Sequence, residues 1–207
     1  MKQWRNLGSV LTGILLLSFS LYFIIKAFHF FEFTPEVLGK YFTIRWILAG
    51  HILGGAIALL IGPLQLWKPF RQKNWKLHRI LGRVYVYAIF AGSGCALYLA
   101  STAAFKVNWM YAYSLQVLAA VWLASTIIAL IKARTKQFQL HEEWMMRSYL
   151  STVAFVAQSF LITLPFLPGD YAEHSASVIW SSWTIPLFIY NIHLAFKKKK
   201  GKPVVTK

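Results

Sequence analysis

Carboxylates are scarce in this sequence: the chain of 207 residues has six Asp and Glu against 22 Lys and Arg. None of the six lies inside a long apolar run, which argues against a carboxylate-based proton relay or a cation transporter. Cys95 is the single cysteine, so an internal disulfide is excluded. The sequence also has no HExxH zinc motif, no glycine-rich phosphate loop and no Gly-x-Ser-x-Gly elbow. Hydrolase and nucleotide-driven activities therefore have no supporting motif.

Long apolar runs, by contrast, fill most of the chain. Hydrophobic residues make up 57% of the sequence, charged residues make up 14%, and the mean hydropathy is +0.51. A helix needs about 20 apolar residues to cross the hydrocarbon core, and helix is the required form because lipid cannot bond a backbone amide. Runs of about that size are Leu7–Ala27, Ile44–Trp67, Gly82–Phe105, Trp109–Ile131, Ser148–Phe166 and Ala176–Phe196. The sequence thus predicts an all-α polytopic membrane helix bundle with six transmembrane helices, in one domain at residues 1–196 followed by a basic tail at 197–207.

The formal net charge of +16 has two interpretations, nucleic-acid binding and membrane topology. No nucleic-acid recognition motif is present, so nucleic acid is not expected as a partner. Alternate loops divide the 22 Lys and Arg into 18 on one side of the predicted membrane and four on the other. Because cytoplasmic loops carry the excess of Lys and Arg, this division predicts cytoplasmic N and C termini in a multi-pass plasma membrane protein. The same loops are expected to bind anionic lipid headgroups.

The second apolar run combines a histidine with a stripe of small residues. His51 lies about six residues into the run, roughly 9 Å below its boundary at the helical rise per residue. An ionisable side chain at that depth indicates a functional site, while the alternative is a neutral histidine hydrogen-bonded to a neighbouring helix. Both interpretations stay open. The stripe lets another helix approach closely, within this chain or in a homo- or hetero-oligomer, and consists of Gly50, Gly54, Ala58 and Gly62.

Two further histidines, His78 and His141, open spans from the opposite side of the predicted membrane. Two imidazoles on neighbouring helices can hold one haem b iron axially, or a transition metal as an alternative. Guanidinium groups match carboxylates in two-point contacts, so the haem propionates would pair with Arg79, Arg83 and Arg147. The alternative is that both histidines are interfacial and that the arginines follow the positive-inside rule. His51 lies nearly a membrane thickness from His78, so it would serve a separate cofactor.

Four motifs carry a resemblance to a known family. They are His51–Ala56, Gly62–Gln65, Leu77–Tyr85 and His141–Ser148. In this order they resemble the bacterial predicted membrane proteins called "domain of unknown function 2306", over residues 44–165. The resemblance implies a membrane helix bundle and no defined activity, and it includes His51, His78, Arg83, His141 and Arg147. Glu142 stands where the resemblance implies a basic residue. A more distant likeness, in helix count and histidine placement, is to two-haem b-type membrane cytochromes.

Three functions are compatible with these patterns, and no reaction is assigned. The leading hypothesis is a haem- or metal-binding membrane protein with a role in electron transfer, which uses His78 with His141 on one side and His51 on the other. The second is a membrane scaffold or accessory subunit whose basic loops bind anionic lipid or a partner protein. The third is a transporter for a small solute, with Gln116 and Gln158 along the path.

Overall fold

The computed structural model describes residues 17–162 and 171–200, and within these ranges every regular element is a helix. This confirms the predicted all-α class. Helix α1 is seen at residues 17–27, and the short α2 (Pro35–Leu38) lies between two 3-10 helices at Phe28–Glu32 and Gly39–Ile44. The remaining helices are α3 (Arg45–Leu66), α4 (Lys68–Lys73), α5 (Trp75–Ser101), α6 (Trp109–Arg134), α7 (Phe138–Leu161) and α8 (Tyr171–Lys200).

Three segments of the described chain are long and apolar enough to cross a membrane: Pro35–Leu66, Trp75–Ser101 and Trp109–Arg134. They correspond to the second, third and fourth predicted spans. In α7 the apolar part begins only after Arg147, and the predicted end of the fifth span falls in residues 163–170, outside the described residues. Residues 7–16 of the first predicted span, Leu7–Ala27, are also outside them. The count of six spans and the cytoplasmic termini therefore stay predictions.

Two helices begin before the apolar runs that they contain. Helix α5 begins at Trp75 and α7 at Phe138, whereas apolar runs begin at Gly82 and Ser148. The reason is that the hydrogen-bonded helix continues beyond the hydrocarbon core, whereas a count of apolar residues detects only the apolar part of a helix. Helix α6 begins at Trp109 as predicted, because the Asn108 side chain caps it by accepting from the backbone N–H of Met110.

The stripe of small residues on α3 packs inside this chain. A Cβ placed on Gly54 would lie 2.6 Å from the carbonyl oxygen of Ala88 and 2.9 Å from Cα of Gly92, both on α5. At the far end of the stripe, a Cβ on Gly62 would overlap the ring of Tyr149 on α7. The small residues thus allow α5 and α7 to reach the backbone of α3. An oligomer contact through this span would have to use its other faces.

A buried network of hydroxyl groups joins α5, α6 and α7 in the middle of the bundle. Trp122 Nε1 donates to Thr152 Oγ1 at 2.8 Å, and the Tyr85 hydroxyl lies 3.1 Å from Ser148 Oγ. Thr126 Oγ1 lies 2.8 Å from the same Ser148 Oγ. Lipid tails are as apolar as leucine, so hydrogen bonds and close packing hold such helices together. The network fixes the Trp122 ring, which forms part of the site described next.

Candidate functional site

A cavity of about 300 Å³ lies near the end of the bundle that contains His51. We call this the His51 end, and we call the opposite end, with residues 67–74 and 135–137, the basic end. A neighbouring cavity of about 100 Å³ shares part of the same wall. Both are bounded mainly by apolar and aromatic side chains, and they share Phe23, Phe30, His51, Trp122 and Phe155. The site is therefore assembled from α1, the segment before α3, and helices α3, α5, α6 and α7.

The His51 ring is held between α3 and α5. Its Nδ1 lies 3.0 Å from the backbone carbonyl oxygen of Gly92, and a carbonyl oxygen can only accept, so Nδ1 donates. The His51 and Phe155 rings form a T-shaped contact, with the ring centroids 5.3 Å apart and the planes at 70°. Within the part of the chain that the structure describes, His51 Nε2 forms no hydrogen bond. The bond to a neighbouring helix matches one of the two sequence interpretations, while a cofactor on His51 remains a prediction.

The basic end holds a second histidine with the same anchoring. His141 Nδ1 donates to the carbonyl oxygen of Ala129 on α6, at 2.8 Å, which leaves Nε2 as the acceptor of a neutral ring. Beside it, the Arg71 and Glu142 side chains form an ion pair at 2.6 Å. Burial lowers the pKa of His141, and the Arg71 guanidinium lowers it further against the opposing effects of the Ala129 bond and Glu142. The ring is therefore set up to stay neutral near pH 7.

His78 lies in the same neighbourhood, close enough to His141 and Arg71 to interact with them electrostatically. Its Nδ1 is buried and has no hydrogen-bond partner among the described residues. One helical turn further along α5, Gly82 leaves room for the side chain of Gln65, whose Oε1 would lie 3.2 Å from a Cβ at that position. Gln65 is only 4% exposed, and its Nε2 also lacks a partner within the described residues. The structure thus places His78 and His141, which the sequence paired, in one region of the basic end. Gln65 packs against α5 one helical turn from His78.

The arginines predicted for haem propionates point elsewhere. Arg79 and Arg83 are exposed, and at about 100° per residue they lie roughly 100° and 140° around α5 from His78. The Arg79 guanidinium instead stacks on Trp75, 5.5 Å from the ring centroid. The structure therefore does not bring these two arginines to the histidine pair.

Arg147 contacts α8 rather than the histidines. Its Nη2 donates to Asn191 Oδ1 at 2.8 Å, its Nη1 donates to the Glu143 carbonyl oxygen, and its guanidinium lies 4.7 Å from the Trp144 ring centroid. Across the described residues, no group of three or more His, Cys, Asp or Glu side chains is arranged to hold a metal ion. A metal at the basic end would therefore have two protein ligands from this set.

Residues that the sequence did not single out complete both regions. Trp122 and Phe155 form walls of the cavities, but they are apolar residues within predicted spans, so nothing in the sequence marks them. Arg71 meets Glu142 across 71 positions, a contact that no local pattern predicts. Of the two glutamines proposed for a transport path, Gln158 lines the larger cavity, whereas Gln116 donates to Ser101 Oγ at 3.1 Å.

The apolar helices of membrane-spanning length and the small-residue interface between α3 and α5 define a helical membrane protein. The chain belongs to the family described as predicted membrane protein (DUF2306), whose sequence profile matches residues 48–194. This match confirms the resemblance found on the four motifs and extends it through most of α8. No curated protein and no solved structure matches the chain.

Proposed function

We propose that this membrane protein binds a small, neutral, ring-bearing molecule from the lipid phase in the cavity beside His51. The observation that carries the proposal is a cavity of about 300 Å³ with aromatic walls, lined by His51, whose Nε2 forms no hydrogen bond within the described residues. Ligand sites are typically concave and mostly apolar, with a few polar groups that orient the ligand. This cavity has that composition.

The size of the cavity selects the class of ligand. An apolar protein cavity of about 150 Å³ holds one benzene ring, so about 300 Å³ suits a molecule of one or two rings. A porphyrin with four pyrrole rings needs more room. Among the described residues that line the larger cavity none is charged, and an ion would lose its hydration there without a paired charge. The ligand is therefore neutral.

The test compares two phenylalanine substitutions on α5. Ala96 lines the larger cavity, so Ala96→Phe fills it, whereas Ala91 is exposed on another face of the same helix and Ala91→Phe serves as the control. The probe is naphthalene, and the measurement is the thermal shift of the detergent-purified protein. A ligand at 100 times its Kd stabilises the folded protein by about 2.7 kcal/mol. We expect the shift in the wild type and in Ala91→Phe but not in Ala96→Phe; an equal shift in all three proteins contradicts the proposal.

A second candidate function is haem or transition-metal binding by His78 and His141 at the basic end, with a role in electron transfer. It is supported by the anchored Nδ1 of His141 and by the buried, partnerless Nδ1 of His78 among the described residues. Metal-ligating histidines usually donate their other ring N–H to a carbonyl or carboxylate in this way. The imidazoles fit such a role, whereas Arg79 and Arg83 do not face the pair.

Absorption spectra of the purified protein, oxidised and reduced, test this second candidate together with a metal analysis. Binding predicts a Soret band or a stoichiometric metal that is lost in His78→Ala and His141→Ala. A preparation with neither signal removes the candidate, and a signal that survives both substitutions removes the ligand assignment.

The placement in the membrane is part of the proposal. With the basic end in the cytoplasm, exposed lysines such as Lys73 and Lys76 meet anionic headgroups, and the same face is available to a partner protein. Tags at the two termini that report opposite compartments would contradict this orientation. The scaffold function predicts that charge reversal at these lysines disrupts assembly in gentle detergent.

A further inference from the structure

We infer that the molecule bound beside His51 presents a hydrogen-bond donor, an O–H or N–H group, to His51 Nε2. The inference rests on the proposed function and narrows its ligand to neutral rings that carry a donor, such as phenols. It follows from the way in which the imidazole is anchored.

The hydrogen-bonding role of Nε2 follows from the bond that the other ring nitrogen, Nδ1, makes to Gly92. The Gly92 carbonyl oxygen, 3.0 Å from Nδ1, has no hydrogen to give, so the ring proton sits on Nδ1. A neutral imidazole carries one such proton, and Nε2 is then an acceptor only. A ligand that offers only a carbonyl or ether oxygen could form a hydrogen bond with Nε2 only if the ring carried a second proton there. The resulting cation would sit among aromatic walls, where lost hydration is not compensated.

The ring is not free to turn and present the opposite face. A flip would exchange Nδ1 with a carbon atom and break the bond to Gly92. Phe155 packs against the ring in the T-shaped contact, and the close contact of Gly54 with Gly92 holds α3 and α5 at the distance that the bond requires. The acceptor therefore stays in place.

The other polar side chains of the two cavities are already engaged. Trp122 Nε1 donates to Thr152, and the Ser159 hydroxyl donates to the Phe155 carbonyl oxygen at 3.0 Å. Tyr41, Tyr111 and Gln158 also have interactions of their own. His51 Nε2, which forms no hydrogen bond within the described residues, is thus an acceptor by which this site can distinguish one neutral ring from another.

The experiment compares three probes of similar shape: 1-naphthol, 1-methylnaphthalene and 1-methoxynaphthalene. The first donates a hydrogen bond, the second forms none, and the third only accepts. A net hydrogen bond of about 0.5–1.5 kcal/mol corresponds to an affinity for 1-naphthol about 2- to 12-fold higher than for the other two. Binding to Ala96→Phe is subtracted for each probe, which cancels partitioning into detergent.

Substitution of the histidine completes the design. His51→Phe keeps an aromatic side chain and should reduce the 1-naphthol preference to none, whereas His193→Phe, at an exposed histidine of α8, should keep it. The thermal stability of each variant without ligand reports whether it folds. If the wild type binds all three probes equally, the donor inference is wrong and the proposed function stands. If the wild type binds no probe more than Ala96→Phe does, the proposed function itself fails.

Discussion

Replacement of Gly54 by alanine tests whether the contact between α3 and α5 is as tight as the structure indicates. The new Cβ would lie 2.6 Å from the Ala88 carbonyl oxygen, whereas ordinary contact begins at 3.4 Å. The neighbour is backbone and cannot turn away as a side chain would. The two helices must therefore separate by about 0.8 Å, the difference between those two distances.

The energetic cost follows from this displacement. Overpacking of a close contact costs about 1–3 kcal/mol, and the better helix propensity of alanine returns up to about 1 kcal/mol. With that gain subtracted, we expect Gly54→Ala to lower the free energy of unfolding by up to about 2 kcal/mol. The matched control is Gly94→Ala on α5, where a Cβ meets nothing within 4 Å, so stability should stay the same or rise by up to about 1 kcal/mol.

The assay is reversible unfolding in mixed micelles with increasing dodecyl sulfate, followed by the helical circular dichroism signal. A second measurement connects packing to the site. If the separation of α3 and α5 lengthens the hydrogen bond between His51 and Gly92 by the full amount, the distance from Nδ1 to the carbonyl oxygen rises from 3.0 Å to about 3.8 Å. This is beyond hydrogen-bond range. Gly54→Ala should then weaken the preference for 1-naphthol, while Gly94→Ala should not. Equal stability of the two variants would refute the close approach of α3 and α5.

Three further predictions concern the core and the basic end. Tyr85→Phe should lower the free energy of unfolding by about 0.6–1.5 kcal/mol because its buried hydroxyl bonds two hydroxyls on α7; exposed Tyr87→Phe should have no measurable effect in the same titration. Arg71→Gln should cost at most about 1 kcal/mol, and the loss should vanish near about 1 M salt because its ion pair with Glu142 is partly exposed; a loss that persists in salt contradicts a screened pair. Burial lowers the pKa of His141, which precedes the predicted fifth span, below the usual 6.5, so the unfolded chain binds the proton more tightly and stability should fall as the pH drops below 6.5. His141→Gln keeps a donor for the Ala129 carbonyl and should flatten that part of the pH profile, and an unchanged profile would count against the buried imidazole.

Hydropathy and small-residue patterns predicted the parts of the fold that depend on one helix at a time. The run at Ile44–Trp67 appears as α3 at Arg45–Leu66, and Trp109 begins α6 beside its Asn108 cap. The stripe through Gly54 predicted a close helix neighbour, because small side chains have that effect on any helix. It did not identify the neighbour, since α5 and α7 meet it at positions that only the folded chain brings together.

The site was predictable only in part, for the same reason. His51 stands out because an imidazole in an apolar run is rare, and its depth marked it as functional or hydrogen-bonded. The cavity beside it depends on Trp122 and Phe155, which are ordinary apolar residues until the folded chain brings α6 and α7 beside α1 and α3. The arginines near His78 were noted because they belong to a basic loop. The side of α5 on which they lie depends on how that helix is rotated, and a count of charges does not predict this rotation.

The anchoring of His51 and His141 explains how a membrane helix can hold a polar ring without breaking its own backbone. A helical carbonyl oxygen has two lone pairs, and the helix uses one of them for its own N–H partner four residues on. The second lone pairs of Gly92 and Ala129 each accept from an imidazole Nδ1 on a different helix. This arrangement requires the histidine-bearing helix to approach the carbonyl closely, which on α3 the glycine at position 54 permits. Each ring then directs its acceptor nitrogen, Nε2, away from the carbonyl that holds Nδ1. The same hydrogen bond between two helices therefore contributes to helix packing and determines which ring nitrogen can bind a ligand at each end.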